Sequence, residues 1–247
     1  MRFFGNARSD GAVKDLPGVC LITCGLNYAA FNAAVLSEPI SGDASQLRRN
    51  IELAAGHYRS RDLRWTYWLC EDFLEAPIRR ESRAMFQRLG LNPLTDPPGL
   101  FADCLLPPRR MLPAIRVRRV EDDATRTAFA HLTSVAFEIP AGICREIYGG
   151  PRAWSGSFEG YVGYVGEVPV STTATVVTDD VVGIYSVGTS PQCRRHGYAE
   201  ATMREVLRQV RERTGIEATV LQSTSSGFSL YEQMGYRKCT RFSVYIS

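Results

Sequence analysis

Residues 190–199 read Ser190-Pro191-Gln192-Cys193-Arg194-Arg195-His196-Gly197-Tyr198-Ala199, between a predicted strand over residues 181–189 and a predicted helix. The helix is amphipathic, with one apolar face made of Met203, Val206, Leu207 and Val210. A strand, a cationic turn containing glycine and a long helix, in this order, can bind an anion. The backbone N–H groups of the turn and the helix dipole both favour negative charge.

The turn has residue types that suit a phosphate. Arg194 and Arg195 supply guanidinium groups, and Gly197 allows close approach of the backbone. No Gly-Lys-Ser/Thr occurs, which excludes a Walker loop, and the glycine spacing excludes the dinucleotide fingerprint. A ligand with another kind of pyrophosphate remains, against the alternative of an exposed helix start whose arginines face solvent.

Secondary structure is predicted outward from this turn. The second half should begin with a strand at 115–120, a helix from Asp122 and a short helix at 143–148, followed by an antiparallel meander of three strands at 157–165, 169–177 and 181–189. The amphipathic helix follows after Ala199, and then come a strand at 218–223, a short helix through 231–234 and a last strand at 242–246. The first half predicts strands at 18–24 and 63–70 and helices spanning 47–58 and 77–89. Prolines cluster over residues 92–113, so we place a domain boundary near residue 113.

Composition excludes several classes of protein. The chain has 247 residues and a net charge of +3, spread evenly, which argues against a nucleic-acid partner. No apolar stretch is long enough to span a membrane, and residues 1–10 do not form a signal peptide. The 7 cysteines are scattered and predict free thiols, and no ligand spacing indicates a metal site. We expect a cytoplasmic enzyme that contains no metal and has no membrane partner.

Three ordered motifs resemble one family. The hexapeptide at 194–199 matches Arg/Gln-x-x-Gly-x-Gly/Ala, the cofactor signature of the GNAT superfamily of acetyl-CoA-dependent N-acetyltransferases. Upstream, Val187-Gly188-Thr189-Ser190-Pro191 resembles the end of that family's fourth strand. Downstream, Leu230-Tyr231-Glu232-Gln233-Met234-Gly235-Tyr236 resembles its closing Leu-Tyr-x-x-x-Gly-Phe/Tyr element.

The resemblance covers about residues 115–247 and implies an α/β (α+β) fold. That fold is a central mixed, mostly antiparallel sheet flanked by helices, with the fourth and fifth strands splayed apart. Residues 114–247 would then be the catalytic GNAT domain. Ala30-Phe31-Asn32 and Leu89-Gly90-Leu91 resemble the degenerate N-terminal half of tandem members, so residues 1–113 would be a smaller GNAT-like domain.

The resemblance also implies a set of site residues. The backbone of the turn would bind the CoA pyrophosphate, the edge of the fourth strand would pair with the pantetheine arm, and one hydroxyl residue would lie near CoA. The turn residues are Arg194, Arg195, His196, Gly197, Tyr198 and Ala199. The strand-edge residues are Val187, Gly188 and Thr189, and the hydroxyl residue is Thr224.

The expected chemistry is direct attack of an amine on the thioester. Tyr231 lies at the family's general-acid position, and a strand N–H at Val187 or Gly188 would stabilise the oxyanion. The predicted fourth strand has no carboxylate, so the general base stays open. Glu138, Glu159 and Asp180 are candidates, beside a water route or an amine that is already partly neutral.

We therefore expect an N-acetyltransferase that moves an acetyl group from acetyl-CoA, its co-substrate, to a primary amine. The alternative is a non-catalytic CoA-binding sensor or scaffold of the same fold. The acceptor is an amine-bearing small molecule or protein, because the fold does not determine the substrate. The resemblance also allows a homodimer.

Overall fold

The computed structural model describes residues 1–247. Its helices are α1 (Arg2–Asn6), α2 (Ser45–Arg59), α3 (Ala76–Arg88), α4 (Asp123–Phe137), α5 (Ala141–Tyr148), α6 (Tyr198–Thr214) and α7 (Phe228–Gln233). Its strands are β1 (Ala12–Leu16), β2 (Val19–Thr23), β3 (Ala33–Leu36), β4 (Thr66–Cys70), β5 (Asn92–Thr95), β6 (Pro98–Ala102), β7 (Arg116–Arg119), β8 (Phe158–Val165), β9 (Val168–Thr178), β10 (Val181–Thr189), β11 (Thr219–Gln222) and β12 (Arg237–Ile246). Two compact units form: unit 1 is Met1–Gly99 with Cys239–Ser247, and unit 2 is Leu100–Lys238.

Unit 1 has a sheet in the order β1-β2-β3-β4-β12. β1, β2 and β3 pair antiparallel, and β4 lies parallel to β3. β12 pairs antiparallel with β4, from Phe242 opposite Cys70 to Ile246 opposite Thr66, and β5 pairs with β12. Residues 239–247 therefore complete the sheet of unit 1.

The core of unit 1 is rich in aromatic side chains. Tyr58, on the buried face of α2, stacks on Trp65 with ring centroids 4.9 Å apart. Phe86 of α3 stacks on Tyr245 of β12 at 3.8 Å. Each such pair contributes about 0.5–1.5 kcal/mol beyond the area it buries. The last strand is thus held by core packing as well as by its backbone.

Unit 2 has a sheet in the order β6-β11-β10-β9-β8-β7. β7, β8, β9 and β10 pair antiparallel, as the short turns between the predicted strands indicate, whereas β11 lies parallel to β10. Helices α4 and α6 pack on the sheet. The expected fold, a mixed and mostly antiparallel sheet flanked by helices, is confirmed.

Local signals explain the ends of the two principal helices of unit 2. At the start of α4 the Asp122 carboxylate accepts the Thr125 N–H at 2.7 Å, and the Thr125 hydroxyl accepts the Asp122 N–H at 3.1 Å. The α6 helix begins after Gly197 and ends at Gly215, both with positive φ. Its predicted apolar face is buried in the core of unit 2.

Residues 92–113 are only partly irregular. The proline cluster predicts loops there, but β5 and β6 lie within it. Pro98 is the first residue of β6, where its missing N–H removes no ladder bond, and Pro93 lies in a strand that pairs with β12 alone. The strand β3 and the elements before residue 18 were also not predicted.

The boundary between the compact units differs from the expected one near residue 113. The first unit ends at Gly99, and residues 100–113 pack within unit 2, where Leu106 N–H donates to Met234 O at 2.9 Å. Proline breaks secondary structure without marking where packing changes.

No helix is both long and apolar enough to cross a membrane.

Candidate active site

A cleft of about 940 Å³ opens in unit 2 beside the point where β10 and β11 separate. The two strands pair only at Val182 with Thr219 and at Gly183 with Val220. β10 then continues to Thr189, whereas β11 ends at Gln222. The splay expected between these strands is therefore present, and Val187, Gly188 and Thr189 line the cleft along the unpaired part of β10.

A bulge interrupts β10 just before these residues. Its register with β9 shifts between Tyr185 and Gly188, and Ser186 has a φ of 50°. The Thr172 hydroxyl donates to Ser186 O at 2.8 Å and holds the bulge in place. A non-glycine residue at positive φ costs on the order of 1–3 kcal/mol. The bulge leaves the backbone of Val187 outside the β9 ladder, where a ligand can pair with it.

The end of α4 forms the opposite side of the cleft. A Cβ on Gly188 would lie 2.9 Å from Ala136 Cβ and 3.3 Å from Phe137 Cε2, so only glycine fits on the strand here. Phe137 keeps 41% of its surface exposed, and Glu138 ends the helix at a φ of 58°. Both line the cleft. Phe137 and Glu138 therefore border the cleft on the side opposite the unpaired part of β10.

The cationic turn forms the third side. Arg195 and Gly197 both have positive φ, 65° and 88°. The first backbone bond of α6 is donated by Ala201 N–H to Gly197 O at 2.9 Å, so the N–H groups from 195 to 200 have no helical acceptor. N–H groups without a helical acceptor, a helix N-terminus and the Arg195 guanidinium make this end of the cleft suitable for a phosphate. The Arg194 Nη2 donates to Ala136 O of α4 at 3.1 Å.

The structure brings nearly all of the expected site residues together. Those that line the cleft are Val187, Gly188, Thr189, Arg194, Arg195, Gly197, Tyr198, Ala199, Thr224 and Tyr231. The exception is His196, whose ring lies 6.1 Å from the Tyr198 ring. Thr224 belongs to the turn that starts α7, since the Gly227 N–H donates to its hydroxyl at 3.3 Å.

Tyr231 lies on α7 with 8% of its surface exposed. Its ring packs edge-on against Tyr236, with centroids 5.7 Å apart. Burial raises the pKa of Tyr231 to about 12, so the phenol is protonated at neutral pH. It can donate a hydrogen bond into the cleft.

The three base candidates have different surroundings. Glu138 lines the cleft, but Glu159 and Asp180 do not. Glu159 forms ion pairs with Arg119 and Arg213. Burial acts to raise the pKa of Glu159, but the hydrogen bonds from Arg213 and Tyr161 outweigh it and lower the pKa. Glu159 is therefore a structural ion-pair centre, and Asp180 belongs to the β9–β10 turn.

Sequence reasoning missed two cationic residues of the site. Arg109 and Arg110 line the cleft, although they precede the turn by a long stretch of chain. The only local signal was a pair of arginines between prolines. Glu200 was also missed; it lines the cleft and pairs with Arg204 at 2.8 Å.

Residues 160–239 match the family model described as acetyltransferase (GNAT) domain. The chain carries a GNAT domain. The matched residues run from β8 into β12 and include the bulge, the turn and Tyr231. The GNAT family is one of acyltransferases, so the cleft lies in a domain whose family chemistry is acyl transfer.

Solved structures share the fold of the GNAT domain and of the rest of the chain. A GCN5-related N-acetyltransferase from Kribbella flavida has a TM-score of 0.73 at 18% identity, covering 100% of this chain and 91% of that one. Another from Sphaerobacter thermophilus has a TM-score of 0.62 at 16% identity, covering 93% and 80%. A tandem GNAT protein from the clavulanic acid biosynthesis pathway has a TM-score of 0.52 at 13% identity, covering 97% and 80%. No curated protein matches the sequence significantly.

Proposed function

We propose that the GNAT domain transfers an acetyl group from acetyl-CoA to a primary amine. The observation that carries the proposal is the single cleft that joins the cationic turn, the unpaired part of β10 and Tyr231. The lining of the cleft combines the arginines of the turn with Phe137 and Glu138 at the end of α4, where Arg194 Nη2 donates to Ala136 O at 3.1 Å.

The residues present fit such a donor. A Cβ on Gly197 would lie 3.2 Å from Pro113 and 3.3 Å from Arg110, so the glycine lets the Arg110 guanidinium approach the backbone of the turn, where it can share a pyrophosphate. Val187, Gly188 and Thr189 offer a strand edge to which an amide-containing arm can add. Acetyl-CoA supplies the thioester and a thiolate leaving group.

Two groups of the chain assist the transfer. An N–H of β10 at Val187 or Gly188 stabilises the negative charge that develops on the thioester carbonyl oxygen. Tyr231 donates to the sulfur as it departs. Its pKa of about 12 lies above that of an ordinary thiol, about 8.5, so a strong hydrogen bond is favoured over complete proton transfer.

The acceptor amine would enter on the side of Phe137 and Glu138. Of the expected base candidates, Glu138 alone can reach it, either to hold its ammonium form or to take a proton through water. An amine that is partly neutral at working pH needs no base. We propose an amine-bearing small molecule or protein as acceptor, without a nucleic-acid or membrane partner, in the cytoplasm; a homodimer is compatible with this function.

Unit 1 is proposed to be a degenerate GNAT-like domain. In both units an antiparallel meander is followed by a helix and then by a strand parallel to the meander's last strand: β3-α2-β4 in unit 1 and β10-α6-β11 in unit 2. The structural likenesses that cover 97–100% of the chain, one of them to a tandem GNAT protein, support the same interpretation.

The turn of unit 1 that corresponds to the cationic turn contains carboxylates. Gly42, with a φ of 80°, lies three residues before the start of α2, whereas Gly197 directly precedes α6. The Gly42 N–H donates to Glu75 at 3.1 Å, and the Ser45 N–H donates to Asp43 at 2.5 Å. Hydrogen bonds from Ser45 lower the pKa of Asp43, so this carboxylate is charged at neutral pH. The protein's own anions use the N–H groups that a phosphate would need.

The test is thioester cleavage with a panel of primary amines. Purified protein is mixed with acetyl-CoA and each amine, and released thiol is followed with a thiol-reactive dye while acetylated amine is detected by mass. Amine-dependent thiol release with one acetylated product supports the proposal. Binding of acetyl-CoA without turnover on any amine supports the sensor or scaffold instead.

A further inference from the structure

Residues 103–113, which precede β7 in unit 2, border the GNAT cleft through Arg109 and Arg110; we call this segment the strap. It has no regular secondary structure, but both ends are held. Near one end Leu106 donates its N–H to Met234 O at 2.9 Å. At the other end Pro113 Cδ lies against the cationic turn, 3.2 Å from where a Cβ on Gly197 would be. Pro107 and Pro108 further restrict the backbone.

The strap brings two cations to the cleft. Arg109 and Arg110 both line the cleft. Arg110 Nη2 lies 3.3 Å from the Cβ position of Gly197, beside the N–H groups that precede α6. Arg195 belongs to the same turn, whereas Arg194 Nη2 donates to Ala136 O at the end of α4, at 3.1 Å. All four arginines line the cleft.

These four arginines have no carboxylate partner. Other arginines of unit 2 are paired, among them Arg204 with Glu200 and Arg213 with Glu159. Uncompensated cations that line one cleft repel one another unless an anion lies between them. The guanidinium group binds phosphate through two parallel hydrogen bonds.

We infer that Arg109 and Arg110 bind phosphate groups of the acyl donor, so that the strap contributes to donor recognition alongside the backbone of the turn. The inference rests on the proposed function, because it needs a donor of the CoA type. It implies selection for thioesters with a nucleotide phosphate over the same thioester on a bare pantetheine arm. The held ends of the strap reduce the entropy lost when the arginines engage the ligand.

Calorimetric titration with acetyl-CoA tests the inference. We compare wild type with the double variant Arg109→Ala/Arg110→Ala and with Arg59→Ala/Arg88→Ala, which removes the same charge from exposed positions of unit 1. The strap variant should bind acetyl-CoA about 10–100-fold more weakly, the control variant as wild type does. The Kd of the strap variant should also depend less on salt. Since both strap arginines are exposed, melting temperatures should stay close to wild type.

Truncated donors separate phosphate binding from a general effect on the cleft. Affinity for S-acetylpantetheine, followed by chemical-shift titration, should be the same in wild type and strap variant. If the strap variant and wild type bind 3′-dephospho-acetyl-CoA equally well, the arginines bind the ribose phosphate. If the strap variant still binds it more weakly, they bind the pyrophosphate, and both results support the inference. An unchanged Kd for acetyl-CoA, or an equal loss with S-acetylpantetheine, overturns it. Wild type that binds no acetyl-CoA overturns the proposed function as well.

Discussion

Replacing Gly197 with valine should separate the stability of the fold from binding of the donor. Position 197 has a φ of 88°, and a Cβ there would lie 3.2 Å from Pro113 and 3.3 Å from Arg110. A side chain in this backbone conformation costs about 1–3 kcal/mol. For a chain of this size each kcal/mol lowers Tm by about 2–4 °C, so the unliganded variant should melt about 2–12 °C below wild type.

The ligand effect has a different size and origin. Acetyl-CoA at 100 times its Kd stabilises the wild type by about 2.7 kcal/mol, or about 5–11 °C. If the valine side chain obstructs the phosphate and raises Kd about 100-fold, the same concentration stabilises the variant by about 0.4 kcal/mol, less than about 2 °C. Differential scanning fluorimetry with and without acetyl-CoA measures both quantities.

Gly215→Val is the matched control. Gly215 ends the same helix at a φ of 75°, with no atom within 4 Å of its Cβ position. It should lower the unliganded Tm through backbone strain and keep the full ligand shift. A folded Gly197→Val protein that also keeps the full shift would refute the assignment of the turn as the phosphate site.

Three further predictions concern Tyr231, the number of donor sites and the stability of unit 1. Tyr231→Phe keeps the ring packed against Tyr236 and should lower kcat by about 10²–10⁴-fold with little change in acetyl-CoA affinity. If the variant has the Tm and the kcat of wild type when chemistry is the slow step, Tyr231 is a packing residue. Calorimetry should give one acetyl-CoA per chain, because Asp43 and Glu75 use the N–H groups of the unit 1 turn; two per chain would contradict this. Burial, together with the charges of Arg61 and Lys14, lowers the pKa of His57 from 6.5 to about 4. As the pH falls from 6.5 to about 4, the unfolded chain therefore takes up a proton that the folded chain does not, and the free energy of unfolding decreases. Urea midpoints at pH 7 and pH 5 should differ more in wild type than in His57→Gln, and equal differences would show that His57 is not the cause.

Much of unit 2 could be predicted because its signals are local. The cationic turn lies within six residues, the apolar positions of α6 repeat at helical spacing, and the meander strands are joined by short turns. The cleft residues of β10 and α7 follow once those elements are in order. Each of these features depends on neighbours in the sequence.

The features that were missed depend on distant parts of the chain. No residue near Arg110 in the sequence indicates that its side chain lies close to Gly197. Pro107 and Pro108 favoured the interpretation of the strap as a linker between domains. The strands β5 and β6 are short and contain proline, and their pairing partners lie far along the chain. Contacts of this kind are decided by packing, which a local pattern does not record.

The place of β12 in unit 1 has a consequence for how the protein is made. Residues 1–99 leave the ribosome first, but β4 finds its antiparallel partner only after residues 242–246 have been synthesised. Until then one edge of β4 is open, and an open edge strand can pair with the wrong chain. The N-terminal unit therefore begins to fold early and finishes last. Its exposure to aggregation during synthesis lasts for as long as translation of the GNAT domain takes.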